Sequence, residues 1–289
     1  MAETMTETLP RRRSKTMRRF WRSPRTLFGV ITLAIIVLAA VFAPLVSTHN
    51  PNAQNLRNRL APPSAENWLG TDHFGRDTYS RIIHGGRVSL SVGFLSVGIA
   101  LGIGGLLGLL AGFYGGWIDR VINAVSDVLL ALPGFLLALA IVAALGSSIV
   151  NVMIAVGIAT VPYFVRIMRA AVLSIREMDY VAAAEASGQW DLGIMFKHVV
   201  PNALSPVIVQ ITLSLAGAIL TAAGLSFLGM GAQPPTPEWG ADLNGARAYL
   251  RDAHYPVTFP GIAIVLTVLA LNFVGDGLRD ALDPRGLAD

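Results

Sequence analysis

The side chains able to hold a metal or attack a substrate are few in this chain and far apart. Its five histidines, His49, His73, His84, His198 and His254, show no paired spacing of the kind that builds a metal site. Cysteine is absent, which removes thiolate ligands, disulfides and cysteine nucleophiles together. No His-Glu-x-x-His run and no nucleophile elbow occurs, so zinc-dependent and serine hydrolysis both lack their residues. No Gly-x-x-x-x-Gly-Lys-Ser/Thr loop occurs either, so any ATP that drives this protein must be hydrolysed by another chain. The expected lists of catalytic residues, metals and cofactors in this chain are therefore empty.

Ionisable residues inside apolar runs would mark an ion or proton path. Asp127, Arg166, Arg169 and Asp276 qualify, each near the inner end of its run, and they make no carboxylate relay. A stand-alone secondary transporter or channel would need such a relay, a carbonyl filter or an internal repeat, and none is found. The richest polar stretch runs from Ser174 to Asn202. Ser174 and Glu177 have capping-box spacing, and Asp179 is expected to cap a short helix of Tyr180 to Ser187. Gly188 suits the left-handed residue that ends it, Asp191 is expected to cap a second short helix, and Pro201 to terminate the unit. Small residues around Ala183 let another protein's backbone approach closely; a plain helical connector is the alternative.

The elements that must position these residues follow from the solvent. Of 289 residues 53% are hydrophobic and only 14% charged, where a soluble domain carries about 25%. Long blocks hold no charge at all, which excludes a soluble enzyme, a disordered scaffold and a nucleic-acid binder. A bilayer core needs about 20 apolar residues per helix, and continuous runs argue against alternating barrel strands. Six transmembrane helices are expected, at about 27–46, 88–113, 117–145, 149–172, 203–228 and 259–278, making an all-α membrane protein. The third passes through Pro133 and the fourth through Pro162, where kinks are expected.

Arg11, Arg12, Arg13, Lys15, Arg18, Arg19, Arg22 and Arg25 crowd the start against Glu3 and Glu7. The positive-inside rule keeps this tail, residues 1–26, cytoplasmic, and the uncleaved first span of 27–46 follows. An even number of spans puts the tail 281–289 on the same side. Segments 47–87 and 229–258 are then extracytoplasmic, and 173–202 is a cytoplasmic loop within a core of 88–280. The first outer segment holds Gly75, Arg76, Asp77 and Arg81, read as a locally paired structural motif in which Asp77 caps a short helix ending at Gly85-Gly86; direct ligand contact is the alternative. The second holds Gln233, Pro234, Pro235, Pro237 and Trp239, a stiff lip suited to docking another protein, to closing the outer mouth or to anchoring at the membrane interface. Gly98/Gly102 and Gly104/Gly108/Gly112 give two small-residue series for close helix packing, within the subunit or against a partner.

The chain resembles the permeases of ATP-binding-cassette importers on the residues Asp179, Tyr180, Ala183, Ala184, Gly188, His198, Pro201 and Asn202. Leu69-Gly-Thr-Asp-His-Phe-Gly75-Arg76-Asp77, Leu225-Ser-Phe-Leu-Gly-Met-Gly231 and Gly275-Asp-Gly-Leu-Arg-Asp280 narrow the resemblance to the C-type subunit of dipeptide and oligopeptide importers. It implies a type I permease fold in the bacterial inner membrane, with a second homologous permease subunit, two ATPase domains that bind ATP and Mg, and an extracytoplasmic binding protein as partners. No nucleic acid is implied. It also implies that the loop holding Asp179, Tyr180, Ala183, Ala184, Glu185, Gly188 and Pro201 docks on the ATPase. Dipeptide, oligopeptide, nickel and glutathione are all cargoes of such machines. Two carboxylates of the pattern are missing: Ala182 stands where the family has Glu, with Glu185 one turn on, and Ala222 stands where another Glu is expected.

Overall fold

The computed structural model describes residues 20, 21 and 23–282. Most of the basic N-terminal tail and of the C-terminal tail lies outside them. Chain order is helix upon helix, interrupted by one isolated β-bridge, Thr71 to Asp77, among the described residues. The long helices are α1 (Pro24–Val41), α3 (Thr78–Tyr114), α6 (Ile149–Arg176), α9 (Val200–Phe227) and α11 (Tyr255–Leu282). Each is long and apolar enough to cross a membrane. A sixth crossing requires α4 (Gly116–Leu130) and α5 (Gly134–Leu145) together, and these are bent by 88°. The short helices are α2 (Ala43–Val46), α7 (Asp179–Ala186), α8 (Asp191–Ile194) and α10 (Trp239–Ala246).

The helix ends differ from the expected ones for local reasons. Pro133 has no N–H and forces its predecessor out of the helical region, so the third crossing is an elbow instead of one helix. α6 runs unbroken through Pro162. α3 begins at Thr78, ten residues before the expected start, and passes straight through Gly85-Gly86. Asp77 does cap a helix, by accepting from Ser80 N at 2.8 Å, but that helix has 37 residues and ends at Gly115. The first span stops at Phe42, just before Pro44. Arg87 of α3 donates to the carbonyls of Ala40 and Val41, each at 2.7 Å, satisfying acceptors that the end of α1 leaves free.

Packing between helices relies on missing side chains, as expected where lipid offers no hydrophobic drive between helices. A Cβ on Gly104 would lie 2.5 Å from Val161 O, and one on Gly108 would lie 2.5 Å from Val165 O. Gly112 meets Val172 in the same way, so this series seats α3 backbone-to-backbone on α6. Around Gly98 and Gly102 nothing lies within 4 Å, so the two series separate into an internal seam and an open face. α1 packs on α11, where Gly29 sits under Ala270 O and Gly277 under Thr26. Its other face presents Leu27, Ile31, Ile35 and Leu38 outward, an apolar row fit for lipid.

Candidate functional site

At one end of the bundle, α7 and α8 form a compact hairpin between α6 and α9. α6 extends past Ser174, so the capping box with Glu177 does not form, and Glu177 is instead the residue that closes α6. Met178 and Trp190 take the extended torsions of the two N-caps. Asp179 and Asp191 therefore lie one place further in, where they complement the helix dipole without capping a backbone N–H. Gly188, at φ +73°, ends α7 as expected: Gly188 N donates to Glu185 O at 2.9 Å and Gln189 N to Ala184 O at 3.2 Å. That pair of bonds satisfies carbonyls the helix would otherwise leave free.

Pro201 does not terminate the unit. It lies in the first turn of α9, and the chain stays helical from Asp191 to Phe227. Without an N–H at Pro201, Lys197 O has no α-helical donor, and the backbone widens into a π turn over Met195–Val199. His198 in that turn meets Gln189 Oε1 at 3.1 Å and lies beside the Tyr180 ring.

Val181 and Ala184, three residues apart, are buried in the same core as Val172, Ile175, Met195 and Val199. The hairpin is thereby seated firmly on α6 and α9. Tyr180, Ala182, Ala183, Glu185 and Gly188 face outward, together with Met178, Leu192, Phe196 and a Trp190 that is 73% exposed. Trp190 and Phe196 escaped the sequence reading, although two large aromatics in a polar loop are a signal for a covered surface. Ala182 is exposed, so the missing Glu would have projected from this surface. Ala222 is buried in α9, and nothing in the structure explains its replacement of Glu.

At the other end the segment 47–77 folds against α10 over a buried ionic network. Arg76 Nε pairs with Asp72 Oδ2 at 2.6 Å. Arg81 reaches the same Asp72 Oδ2 only at 3.9 Å, and its principal partners are distant in sequence. Its guanidinium bonds Asp242, 161 residues away, and the carbonyls of Pro51 and Pro235. Asp77 holds Asn67 Nδ2 at 2.9 Å and Thr48 Oγ1 at 3.2 Å besides capping α3. Gly75, at φ +70°, turns the chain under Asn55. His73 stacks on Tyr249. Burial lowers its imidazole pKa; Asp72 opposes this, and Arg76, Arg59 and Arg81 add to it.

Trp239 corrects the second outer expectation. It is 2% exposed, lies over Gly85 and Gly86, and donates from Nε1 to Ile82 O at 2.9 Å. It therefore neither anchors at a membrane surface nor touches a docked protein. Gln233 and Pro235 remain exposed on the same loop. Glu238, unremarked in the sequence, is the buried cap of α10: it accepts from Gly240 N, Ala241 N and Ser89 Oγ at 2.8–3.0 Å.

Burial pushes the Asp242 carboxyl up to about 6, against the pull of Arg81. Only Oδ1 is bonded, and Oδ2 has no partner among the described residues. The folded value exceeds the ordinary one near ~3.9, so protonation favours the fold. The stability from this group is fully present below about pH 4 and is lost as pH rises through about 6. Hydrogen exchange of α10, corrected for intrinsic rates, is expected to be slower at about pH 5 than at about pH 7.5. Asp242→Asn is expected to remove that difference; an unchanged pH slope in the variant would contradict the assignment.

Residues 104–286 match the family described as binding-protein-dependent transport system inner membrane component. Residues 13–63 match the N-terminal TM domain of oligopeptide transport permease C. The chain is 50% identical to the dipeptide transport system permease protein DppC of Alkalihalophilus pseudofirmus, over 90% of this chain and 85% of that one. Identity to the di/tripeptide transport system permease protein DppC of Pseudomonas aeruginosa is 48%, over 93% and 92%. Identity to the glutathione transport system permease protein GsiD of Pectobacterium atrosepticum is 44%, over 98% and 97%. A chain from inward-facing MetNI methionine ABC transporter crystals shares the fold, with TM-score 0.55 over 70% of this chain and 96% of that one at 18% identity. With a bundle of apolar helices, an exposed hairpin at one end and a tied cap at the other, the chain belongs to the inner-membrane components of binding-protein-dependent transport systems.

Proposed function

We propose that this subunit forms half of the path by which an ATP-driven importer brings di- or tripeptides into the cell, and that α7 is where ATP hydrolysis on partner chains reaches it. One observation carries the second part. A short helix fixed on α6 and α9 through Val181 and Ala184 surrounds itself with the exposed side chains of Tyr180, Trp190 and Phe196. A rigid, apolar-rimmed knob of that kind fits a groove on a soluble partner, and the small exposed Ala182 and Ala183 let the groove close over the backbone. With α7 cytoplasmic and six crossings, both chain ends are cytoplasmic and the Arg81–Asp242 cap faces the binding protein. The remaining partners are a second permease subunit and two ATPase domains holding ATP and Mg.

Tyr180→Ala and Ala183→Arg are expected to cut co-purification with the ATPase subunits and to lower ATP-driven uptake on the order of tenfold. Neither change touches the buried side of α7. Normal uptake with either variant in the assembled complex would refute the coupling role. The peptide cargo rests on the relatives at 50% and 48% identity. A glutathione cargo is the second reading, favoured by 44% identity over nearly the whole chain. The ligand that co-purifies with the cognate binding protein, identified by mass spectrometry, decides between them.

A further inference from the structure

One face of the bundle is concave and carries polar side chains among apolar ones such as Phe135, Val156 and Leu213. α5, α6 and α9 surround a cavity of about 370 Å³ whose polar lining is Thr160, Tyr163, Gln210, Ser214 and Thr221. Gln210, Ser214, Gly217 and Thr221 recur at spacings of four, three and four on α9, so they share one stripe. Thr160 and Tyr163 form the matching stripe on α6. No Asp, Glu, Lys, Arg or His lines this cavity.

One turn beyond Tyr163 on α6 stands Arg166, paired with Asp127 of α4 at 2.8 Å. Their side chains are 56% and 64% exposed. Arg169 and Asp119, the neighbouring pair between the same helices, are mostly covered and tie α4 to α6. An ion pair this open cannot face hydrocarbon without a large desolvation cost, so this side of the bundle, near its inner end, meets water, lipid headgroups or protein. The concavity beside it, lined by hydroxyls and an amide, favours water.

We propose that this face is the wall along which the cargo moves, and that Arg166 and Asp127 at its end receive the carboxylate and ammonium of a zwitterionic peptide. The inference rests on the peptide-importer reading. A free peptide carries one charge of each sign, and the pair offers one partner to each without adding net charge. The uncharged wall suits peptide amides whatever the side chains. Gln210 Nε2 already donates to Ser214 Oγ at 3.0 Å, so its partner can be exchanged for a passing amide. Contacts of this strength are made and broken readily, as a path requires.

The chain has no cysteine, so a single introduced thiol is the one site of labelling on this subunit, read after the subunits are separated. A Cβ at Gly217 meets nothing within 4 Å, which makes Gly217→Cys a tolerated probe of this face. Val265→Cys on α11, 63% exposed on an apolar helix, is the lipid-facing control. In the complete transporter in lipid nanodiscs, a charged, membrane-impermeant thiol reagent is expected to modify the first at least about tenfold faster than the second. In proteoliposomes, Arg166→Gln is expected to lower uptake of a zwitterionic dipeptide about tenfold with the complex still assembled, and Arg166→Lys to restore most of it. Equal labelling of the two thiols would overturn the wall. Unchanged uptake with Arg166→Gln would overturn the subsite. A wild-type transporter that imports no peptide would instead overturn the importer reading beneath both.

Discussion

Arg81→Met is expected to destabilise the outer cap by about 3–5 kcal/mol, and Asp242→Asn in the same chain to recover much of that loss. Arg81 is almost wholly buried and its guanidinium bonds Asp242, Pro51 O and Pro235 O. Methionine fills the space of the stem but leaves two carbonyls and a buried carboxylate without donors. Asp242 already sits high, at about 6, with the cation beside it. Without the cation its pKa rises further, so the variant should be rescued in part by acid as well as by the amide. Each rescue has the same cause, removal of an unpaired buried charge. Hydrogen exchange of residues 67–77 and 239–246 in the assembled complex reads the effect locally, and thermal unfolding reads it globally. If the double variant were no more stable than Arg81→Met, the charge argument would fail and only the lost hydrogen bonds would remain.

Gly108→Leu is expected to prevent stable assembly of the helix bundle. The Cβ alone would stand 2.5 Å from Val165 O, 2.9 Å from Met168 Cβ and 3.1 Å from Arg169 N. Two of those atoms are backbone of α6, which cannot turn aside as a side chain can. The helices must part, and parting them also opens the contacts at Gly104 and Gly112 along the same seam. Overpacking costs about 1–3 kcal/mol at adaptable sites, and this site belongs at or above the upper end. Gly98→Leu and Gly102→Leu are the internal comparison, since nothing lies within 4 Å of either position. Detergent-solubilised yield and melting temperature should fall sharply for Gly108→Leu and hardly for Gly102→Leu. Similar behaviour of the two would refute the seam.

The difference between these glycines was invisible in the spacing, because Gly98/Gly102 and Gly104/Gly108 repeat alike. Only the position of α6 separates them. The same holds for Arg81, whose nearest acids in sequence are Asp72 and Asp77 but whose principal partner comes from α10. What could be read directly was whatever local backbone chemistry determines. Gly188 adopts the left-handed turn, Pro133 breaks the third crossing, and Asp77 caps a helix. Asp179 and Asp191 were misplaced by one residue because acidic residues favour both the cap and the first turn, and composition does not choose between them. Trp239 was misassigned for a different reason. Aromatics at a membrane boundary are common, and the Gly85-Gly86 floor that buries this one lies more than 150 residues earlier in the chain.

The contact between α1 and α11 has a consequence for how the protein is made. α1 is nearly bare in the bundle, and the small residues that receive it, Gly277 beneath Thr26 and the Ala270 carbonyl against Gly29, belong to the last helix described. The ribosome delivers the first crossing long before its seat exists. Until α11 emerges, α1 must wait in lipid with only its far end held on α3, by Arg87 and by Ala40 packed over Gly86. Closure of the bundle is therefore a late event of biosynthesis, and a premature stop before α11 would leave an inserted but unfinished membrane protein for quality-control proteases to find.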